Sequence, residues 1–228
     1  EYNASKKHFD ICFAYQPHNP KYLHDFRYYY NLPKISFVLP WLRPAAEGKD
    51  RTIASIKALN YPQDKIEIIE LHDEPRLGAP KRVKEGVEKS TGDWIVYAAD
   101  DMEFDSNCIM YAFKQAMDNN RFFMAFHDGE ISPDEGNICT HFMIHRRLIP
   151  KIGEVFDTDF YHVGVDNLLW AKMKKLGQAM HCSRAVINHR HFSKTGVMDD
   201  VHKIAWKEER VQHDRDLLKK KLEALNNN

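Results

Sequence analysis

The chain has 228 residues, of which 43% are hydrophobic and 12% aromatic, a size and composition that suit one domain with a substantial core. Lysine plus arginine and aspartate plus glutamate number 33 each, so no net charge attracts the chain to nucleic acid or an anionic membrane surface. The chain shows neither an apolar run of about 20 residues nor an N-terminal signal core, which predicts a soluble, cytoplasmic protein.

Predicted strands and helices alternate through the first hundred residues. Residues 1–34 are irregular and aromatic-rich, and we expect them to form an extension packed on the main domain. Short apolar runs predict strands, whereas apolar residues three or four apart predict helices. The strands are predicted at 35–39, 65–75 and 94–99, and the helices at 48–62, with Asp50 as N-cap, and at 79–93. This alternation is typical of a parallel sheet with helices on its faces.

The second half of the chain mixes apolar segments, helices and a charged tail. The pattern predicts helices at 106–120 and 165–177, apolar segments at 122–126 and 138–144, a loop at 150–164 and a strand at 185–191. In the tail, 199–225, apolar residues recur every seven positions, a seam that packs on the body or on a partner, namely Ile204, Val211, Leu218 and Leu225. The four cysteines lack zinc or disulfide spacing and are expected to be mostly reduced and buried.

Carboxylates follow two of the predicted strands. Asp73 comes after "IEIIELH", and Asp100 and Asp101 come directly after "WIVYAA". The carboxyl ends of parallel strands meet at one edge of a sheet, so we expect these acids to share a crevice. Two adjacent acids there repel each other unless a cation binds, and Mg²⁺ or Mn²⁺ with a nucleoside diphosphate suits such ligands. The alternative is that the acids only precede the next helix, whose N-terminus favours negative charge.

The order of these segments resembles a known fold. "ISFVLPWLRP", "IEIIELHDEP", "STGDWIVYAADD" and "GVDNLLWAKMKKLG" followed by "VINHRH" are similar to the GT-A fold of nucleotide-sugar glycosyltransferases. The resemblance is greatest to the large inverting family 2, which includes cellulose and hyaluronan synthases and bacterial polysaccharide transferases. It implies an α/β, Rossmann-like catalytic domain over 35–198, with a mostly parallel central sheet flanked by helices, and a C-terminal helical tail over 199–228.

The resemblance also implies a donor side of the site. It places Pro40 and Arg43 in the loop that holds the nucleotide, and Asp73 against the base. Asp101 would bind the metal of the DXD motif, Mn²⁺ or Mg²⁺. Asp100 would contact the ribose or the metal's water shell.

The segment "GVD" contains the residue expected on the acceptor side of the site. By resemblance, Asp166 is the general base that deprotonates the acceptor, although an acid at this place equally suits a helix N-cap. Val165 replaces the acid that is usual before Asp166, and Ala99 replaces the first acid of the commoner metal motif.

Histidines and lysines near the end of the chain complete the expected site. In the family a histidine at the end of the last strand often binds the metal. His189 and His191 lie on the same side of a strand, so both are candidates, with His191 preferred for its later position. Lys194 is expected over the diphosphate, with a solvated side chain as the alternative. Lys81 lies beside the expected nucleotide crevice, where a solvated side chain is the safer interpretation for Lys81, Arg43 and Arg82. The other histidines are given structural roles or none, including His72, His127, His141 and His145.

These assignments predict an inverting, metal-dependent transferase. It would move a hexosyl or pentosyl group from a nucleoside diphosphate, most often UDP in this family, to an acceptor hydroxyl, with Asp166 as base. The acceptor stays open among glycan, lipid, protein and modified nucleic acid. One alternative is a glycosyltransferase-like binding module, non-catalytic or dependent on a partner held by 199–225. A sugar-nucleotide nucleotidyltransferase is disfavoured, because "LPWLRPAAEG" is not a glycine-rich phosphate loop.

Overall fold

The computed structural model describes residues 32–74, 76–129 and 138–227. Lys34–Asn228 form one compact unit. The extension expected at residues 1–34 therefore lies almost entirely outside the described residues. The strands are β1 Ile35–Trp41, β2 Ile66–His72, β3 Trp94–Tyr97, β4 Met102–Phe104, β5 Phe123–His127, β6 Phe142–His145 and β7 His181–His189. The helices are α1 Lys49–Lys57, α2 Ala79–Lys89, α3 Cys108–Asp118, α4 Ile149–Ile152, α5 Val165–Lys175, α6 Phe192–Thr195, α7 Asp200–Ala205 and α8 Glu208–Asn227.

Within the described residues the strands form one mixed sheet, in the order β2-β1-β3-β6-β5-β7-β4. β1 pairs in parallel with β2 and β3, and β5 pairs in parallel with β7. β6 is antiparallel to both β3 and β5, and β4 is antiparallel to β7. The predicted α/β class is confirmed: a sheet flanked by helices, with its three parallel strands in the first hundred residues.

β1 lies between two strands, and this position explains its sequence. Its residues from Ile35 to Pro40 are all buried, as expected for a parallel strand covered on both faces. Helix α2 crosses this part of the sheet closely at Gly86, where an added Cβ would lie 2.3 Å from Val38 Cγ1. The absence of a side chain at Gly86 therefore lets the helix pack against β1.

Several predicted boundaries shift for local reasons. Gly48, not Asp50, is the N-cap of α1, and Asp50 lies in the first turn, where its charge favours the helix N-terminus. The predicted loop 150–164 begins with the short helix α4. β7 starts earlier than predicted, at His181, and ends at His189, so His191 lies beyond the strand as the N-cap of α6.

The tail packs on the body of the same unit. It is two helices, α7 and α8, because α7 ends at Ala205 and α8 begins at Glu208. Leu217, Leu218 and Leu222 of α8 contact the core cluster that includes Trp170 of α5. Of the two arrangements left open for the heptad seam, packing on the body is the one observed.

Cys108, Cys139 and Cys182 are buried and free, as expected, whereas Cys12 lies outside the described residues. In the part of the chain that the structure describes, no helix is both long and apolar enough to cross a membrane.

Candidate functional site

A cavity of about 370 Å³ lies at the carboxyl ends of the parallel strands. This is the edge where parallel α/β sheets bind ligands, because loops diverge there and leave a crevice. The cavity brings together most of the predicted site residues, namely Pro40, Arg43, Asp73, Asp100, Asp101, Asp166, His189 and His191. Lys81 is exposed on α2 and lies outside its lining, and Lys194 is also outside the lining.

Asp100 orders the loop that follows β1. Its Oδ2 accepts hydrogen bonds from the main-chain N–H of Leu42 at 2.9 Å and of Arg43 at 3.0 Å. Its Oδ1 is paired with the Arg43 guanidinium. The residue is only 6% exposed, so these bonds replace the water that an ionised carboxylate would otherwise need.

Asp101 faces a cluster of cationic and imidazole groups. Its Oδ1 lies 3.5 Å from His189 Nε2, and its Oδ2 lies 3.2 Å from Arg43 Nη2 and 3.7 Å from His202 Nε2. Burial alone would raise the pKa of Asp101, but the hydrogen bond from His189 and the charges of His189 and Arg43 hold it well below its usual range. Asp101 is therefore an ionised carboxylate inside the cavity.

Arg43 joins the acid pair to the tail. Its Nε donates to Asp199 Oδ2 at 2.7 Å, while its other nitrogens contact Asp100 and Asp101. Asp199 is the N-cap of α7 and accepts the main-chain N–H of His202 at 2.8 Å. One guanidinium thus connects the first loop, the acid pair and the start of α7, which closes one wall of the cavity.

Asp73 lines the cavity but is engaged by its own loop. Its carboxylate accepts the main-chain N–H groups of Leu77 and Gly78, both at 2.9 Å, and Arg82 Nε at 3.1 Å. Arg82, for which a solvated side chain was the safer prediction, is therefore part of an ion pair at the site. Beside this loop the Trp41 ring lines the cavity and stacks on His72, with ring centroids 3.9 Å apart.

Asp166 lies in the first turn of α5 and lines the same cavity as Asp100 and Asp101. The N-cap of this helix is Gly164 in a left-handed conformation, with φ of 82°, so Asp166 is not the cap. Its Oδ1 accepts the N–H of Asn167 at 3.0 Å. Although the residue keeps partial exposure, enclosure of the carboxylate raises the pKa of Asp166 to about 6. That value suits a group that accepts a proton near neutral pH.

The sequence interpretation missed several residues of the cavity, including His141, Asp128 and His202. His141 is 3% exposed, and its ring centroid lies 4.5 Å from that of His189. Asp128 directly follows β5, is buried, and accepts the hydroxyl of Thr140 at 2.7 Å. His202 belongs to the tail. Asp128 could have been found by the strand-end argument that identified Asp73, whereas His141 and His202 reach the cavity only through tertiary packing.

Lys194 contacts the site indirectly. Its ammonium donates to the main-chain carbonyl of Asp128, which is a cavity residue. His191, preferred over His189 as a metal ligand, accepts the N–H of Ser193 as a helix cap. Of these two histidines, His189 is the one that contacts Asp101, with its Nε2 3.5 Å from Asp101 Oδ1.

The donor set at Asp101 suits a divalent cation. Mg²⁺ and Mn²⁺ use one or two protein carboxylates and complete their coordination with phosphate oxygens and water. Asp101 supplies a carboxylate. Both ring nitrogens of His141, and Nδ1 of His189, are buried without a hydrogen-bond partner among the described residues. Those residues contain no ready-made group of three His, Cys, Asp or Glu side chains for a metal. The protein therefore offers a partial ligand set of the kind that a diphosphate completes.

The comparisons with known proteins concern the fold. No protein-family model matches the chain, and no curated protein matches it in sequence. Among solved structures, the mannosyltransferase PcManGT from Pyrobaculum calidifontis, in complex with GDP-Man and Mn²⁺, matches with a TM-score of 0.61 at 15% identity, over 79% of this chain and 61% of that chain. TarS 1–349 from S. aureus in complex with UDP matches with a TM-score of 0.51 at 10% identity, over 60% of this chain and 54% of that one.

The TarS 1–349 complex with UDP-GlcNAc gives a TM-score of 0.50 at 11% identity, over 61% of this chain and 52% of that one. The chain thus spans less than two thirds of each of these structures. At such identities the similarity establishes the architecture alone. The chain has a GT-A-like fold, the fold of nucleotide-sugar glycosyltransferases.

Proposed function

We propose that the protein is a glycosyltransferase that uses a nucleoside diphosphate sugar as donor. The observation that carries the proposal is one cavity that holds an ionised carboxylate, Asp101, and a carboxylate with a raised pKa, Asp166. Environments that push the pKa values of two carboxylates apart indicate different roles, one electrostatic and one as base. The solved neighbours bind GDP-Man, UDP or UDP-GlcNAc, which supports the donor class.

The donor side is proposed at the loops after β1 and β2. The Trp41 ring offers a flat face to a base, and Asp73 holds the N–H groups of the Arg76–Gly78 loop in place. Because the Asp73 carboxylate already accepts three hydrogen bonds, we assign its main contribution to shaping this loop rather than to reading the base alone. Asp100 likewise shapes the loop that would hold the ribose.

A divalent cation is proposed at Asp101, with His189 as its imidazole neighbour. When bound, it would neutralise the negative charge that develops on the departing diphosphate. PcManGT was solved with Mn²⁺, which supports Mn²⁺ as the first ion to test. Arg43, which contacts Asp101, would supply additional positive charge on the same side of the cavity.

The transfer step is proposed to be a single displacement. The acceptor hydroxyl oxygen forms a bond to the anomeric carbon while the bond from that carbon to the diphosphate oxygen breaks. Asp166 takes the proton from the attacking hydroxyl, and the diphosphate leaves with the electron pair. Attack from the face opposite the leaving group inverts the anomeric centre, through a transition state with oxocarbenium character.

One observation favours a second candidate, a nucleotide-sugar-binding module without transfer activity. Arg43 pairs with both Asp100 and Asp101, an arrangement that satisfies these acids without any metal. In that case nucleotide would bind without help from Mn²⁺. The metal dependence of binding therefore discriminates between the two functions.

The test is a thermal-shift panel of nucleoside diphosphates, each with and without Mn²⁺, on the parent and on Asp101→Ala. We expect at least one nucleotide to raise the melting temperature only when Mn²⁺ is present, and the variant to lose that response. Glu103→Ala is the matched control, because it removes a carboxylate close in sequence that pairs with Arg190 instead. Absence of any nucleotide response, or an equal response in Asp101→Ala, would contradict the metal-nucleotide site.

A further inference from the structure

Helix α8 carries a carboxylate that is completely buried. Asp214 is 0% exposed, although most other residues of its helix are exposed. An ionised carboxylate is rarely buried in this way unless hydrogen bonds replace its water. At Asp214 those bonds come from consecutive main-chain N–H groups: Tyr161 at 3.0 Å, His162 at 2.7 Å and Val163 at 2.8 Å.

The segment held in this way leads directly into the helix of Asp166. Gly164 follows it with φ of 82° and is the N-cap of α5. A Cβ added at Gly164 would lie 2.9 Å from Leu218 Cδ2, so α8 also presses on the segment at this point. Since Tyr161, His162 and Val163 line the cavity, their position determines its shape beside Asp166.

Side chains of α8 reinforce the same contact. The Tyr161 ring centroid lies 4.9 Å from the Arg210 guanidinium carbon and 5.0 Å from the His213 ring centroid. Further along the helix, Lys221 Nζ lies 2.7 Å from Asp157 and 2.9 Å from Asp159. One face of α8 therefore holds the chain from Asp157 to Gly164.

We propose that Asp214 is a positioning residue for Asp166, and that α8 is thereby part of the active site rather than only a cover for the core. The inference rests on the proposed function and deepens it. The Asp214 carboxylate accepts hydrogen bonds from three main-chain amides and so restricts the segment before Gly164. Asp166 lies two residues after Gly164, in the first turn of α5, so its position depends on that segment. Small displacements of a reacting group can cost about 100-fold in rate, so a loosened segment should slow transfer.

The test compares Asp214→Asn and Asp214→Ala with Asp216→Asn, which removes one charge from an exposed position of the same helix. The measurements are amide hydrogen exchange, nucleoside diphosphate affinity and the steady-state constants for transfer. In Asp214→Asn we expect the amides of Tyr161, His162 and Val163 to exchange at least about 10-fold faster, and kcat to fall about 100-fold.

The donor KM and the nucleotide affinity should stay within about two-fold, because the donor loops follow β1 and β2. Asp216→Asn should match the parent.

Each contrary result has a distinct meaning. An active parent whose kcat is unchanged in Asp214→Asn, despite faster exchange, overturns the positioning role and leaves the proposed function intact. Equal losses of nucleotide affinity and kcat overturn it too, because they indicate general structural damage. A parent that neither binds nucleotides nor turns over a nucleotide sugar overturns the proposed function and this role with it. If neither Asp214 variant folds, amide exchange in the parent tests the proposal. Rapid exchange of the three amides contradicts their contact with Asp214, and exchange as slow as that of α5 supports it.

Discussion

At the residue scale, the two adjacent acids after β3 have different environments. Asp100 bonds to main-chain N–H groups of the first loop and to Arg43, whereas Asp101 faces the imidazoles of His189 and His202. The two acids lie in the turn between β3 and β4, and their side chains contact different partners there. One acid shapes the loop, and the other is presented to the cavity.

Asp166→Asn is expected to abolish transfer while keeping donor binding. The amide cannot accept the acceptor proton, and general-base catalysis contributes about 100- to 10,000-fold. Initial rates and nucleotide affinity, measured on the same preparation, check this outcome. Asn167→Ala is the control, since Asn167 is also in the cavity lining but bears no base. Full turnover by Asp166→Asn would remove Asp166 from the mechanism.

The same variant should change the pH dependence of stability. The pKa of Asp166 is raised to about 6 in the folded state from 3.8, so the carboxyl favours folding below the lower value and loses that contribution as pH rises through about 6. Asp166→Asn should therefore be more stable than the parent by about 1–3 kcal/mol at about pH 8, with little difference near pH 4. Denaturant melts at both pH values measure the effect. A gain in stability that is equal at the two pH values would contradict the burial of this carboxylate.

Arg43→Ala should leave the acid pair without its counter-charge. Removing one partner of a buried ion pair typically costs about 3–5 kcal/mol, because the remaining charge stays desolvated. We further expect Mn²⁺ to raise the melting temperature of this variant more than that of the parent, since Arg43 no longer competes at Asp101. Arg51→Ala is the control, because its pair with Glu103 is longer, at 3.9 Å, and more exposed. A variant as stable as the parent would show that the pair contributes little.

At the element scale, close packing of helices on the sheet brings the site together. α2 lies against β1 and β2 through Gly86, and α5 buries Leu168, Leu169 and Trp170 in the core. These contacts hold the ends of the strands and the first turn of α5 around one cavity. The distances among the site residues therefore depend on helix packing as well as on the strands.

Gly86→Ala tests that packing. Alanine favours a helix over glycine by about 1 kcal/mol, but its Cβ would lie 2.3 Å from Val38 Cγ1 and 2.8 Å from Leu71 Cδ1. Overpacking of this kind costs about 1–3 kcal/mol, so we expect a net loss of stability in urea melts. Glu88→Ala, at an exposed position of α2, should not lose stability. A gain in stability by Gly86→Ala would show that the helix stands further from the sheet.

At the scale of the whole molecule, the tail and the body of residues 34–228 form one compact unit. Leu218 packs on the core cluster and against Gly164, while Asp199 and His202 contact the site from the other tail helix. The tail therefore contributes to the core and to the cavity together. Its removal would affect both.

Leu218→Ala should lower the stability of the whole unit, not of the tail alone. The loss of buried methyl groups from a partly exposed leucine is expected to cost about 1–3 kcal/mol. Unfolding followed by tryptophan fluorescence and by circular dichroism should shift together, as in a cooperative transition. Lys219→Ala, which is exposed on α8, is the control. Separate shifts of the two signals would show that the tail unfolds independently.

Much of the fold could be predicted because its signals are local. Apolar runs located β1, β2 and β3, and three-to-four spacing located α1, since both patterns arise from the repeat of a single element. The boundaries of α1 and β7 and the break between α7 and α8 were less accurate. They depend on caps such as Gly48 and Asp199, whose roles follow from the backbone conformation around them.

The candidate site could be predicted in part for a similar reason. The strand-end rule and the family resemblance led to Asp73, Asp100, Asp101 and Asp166, and all line the cavity. Lys81 does not, because its side chain is on the exposed face of α2. His141, His202 and Asp214 had no local pattern to reveal them, since each contacts residues distant in the chain.

The amino-acid sequence determined the alternating strands and helices of the parallel region, and with them the edge where acids gather, because hydrophobic periodicity and strand ends are properties of short segments. Tertiary structure decided how those acids differ. Arg43 engages Asp100 and Asp101 together, and enclosure raises the pKa of Asp166. Asp214 binds the segment that leads into α5, the helix of Asp166. Such effects depend on which groups exclude water and supply hydrogen bonds to each carboxylate, and only packing of the folded chain brings those groups into contact.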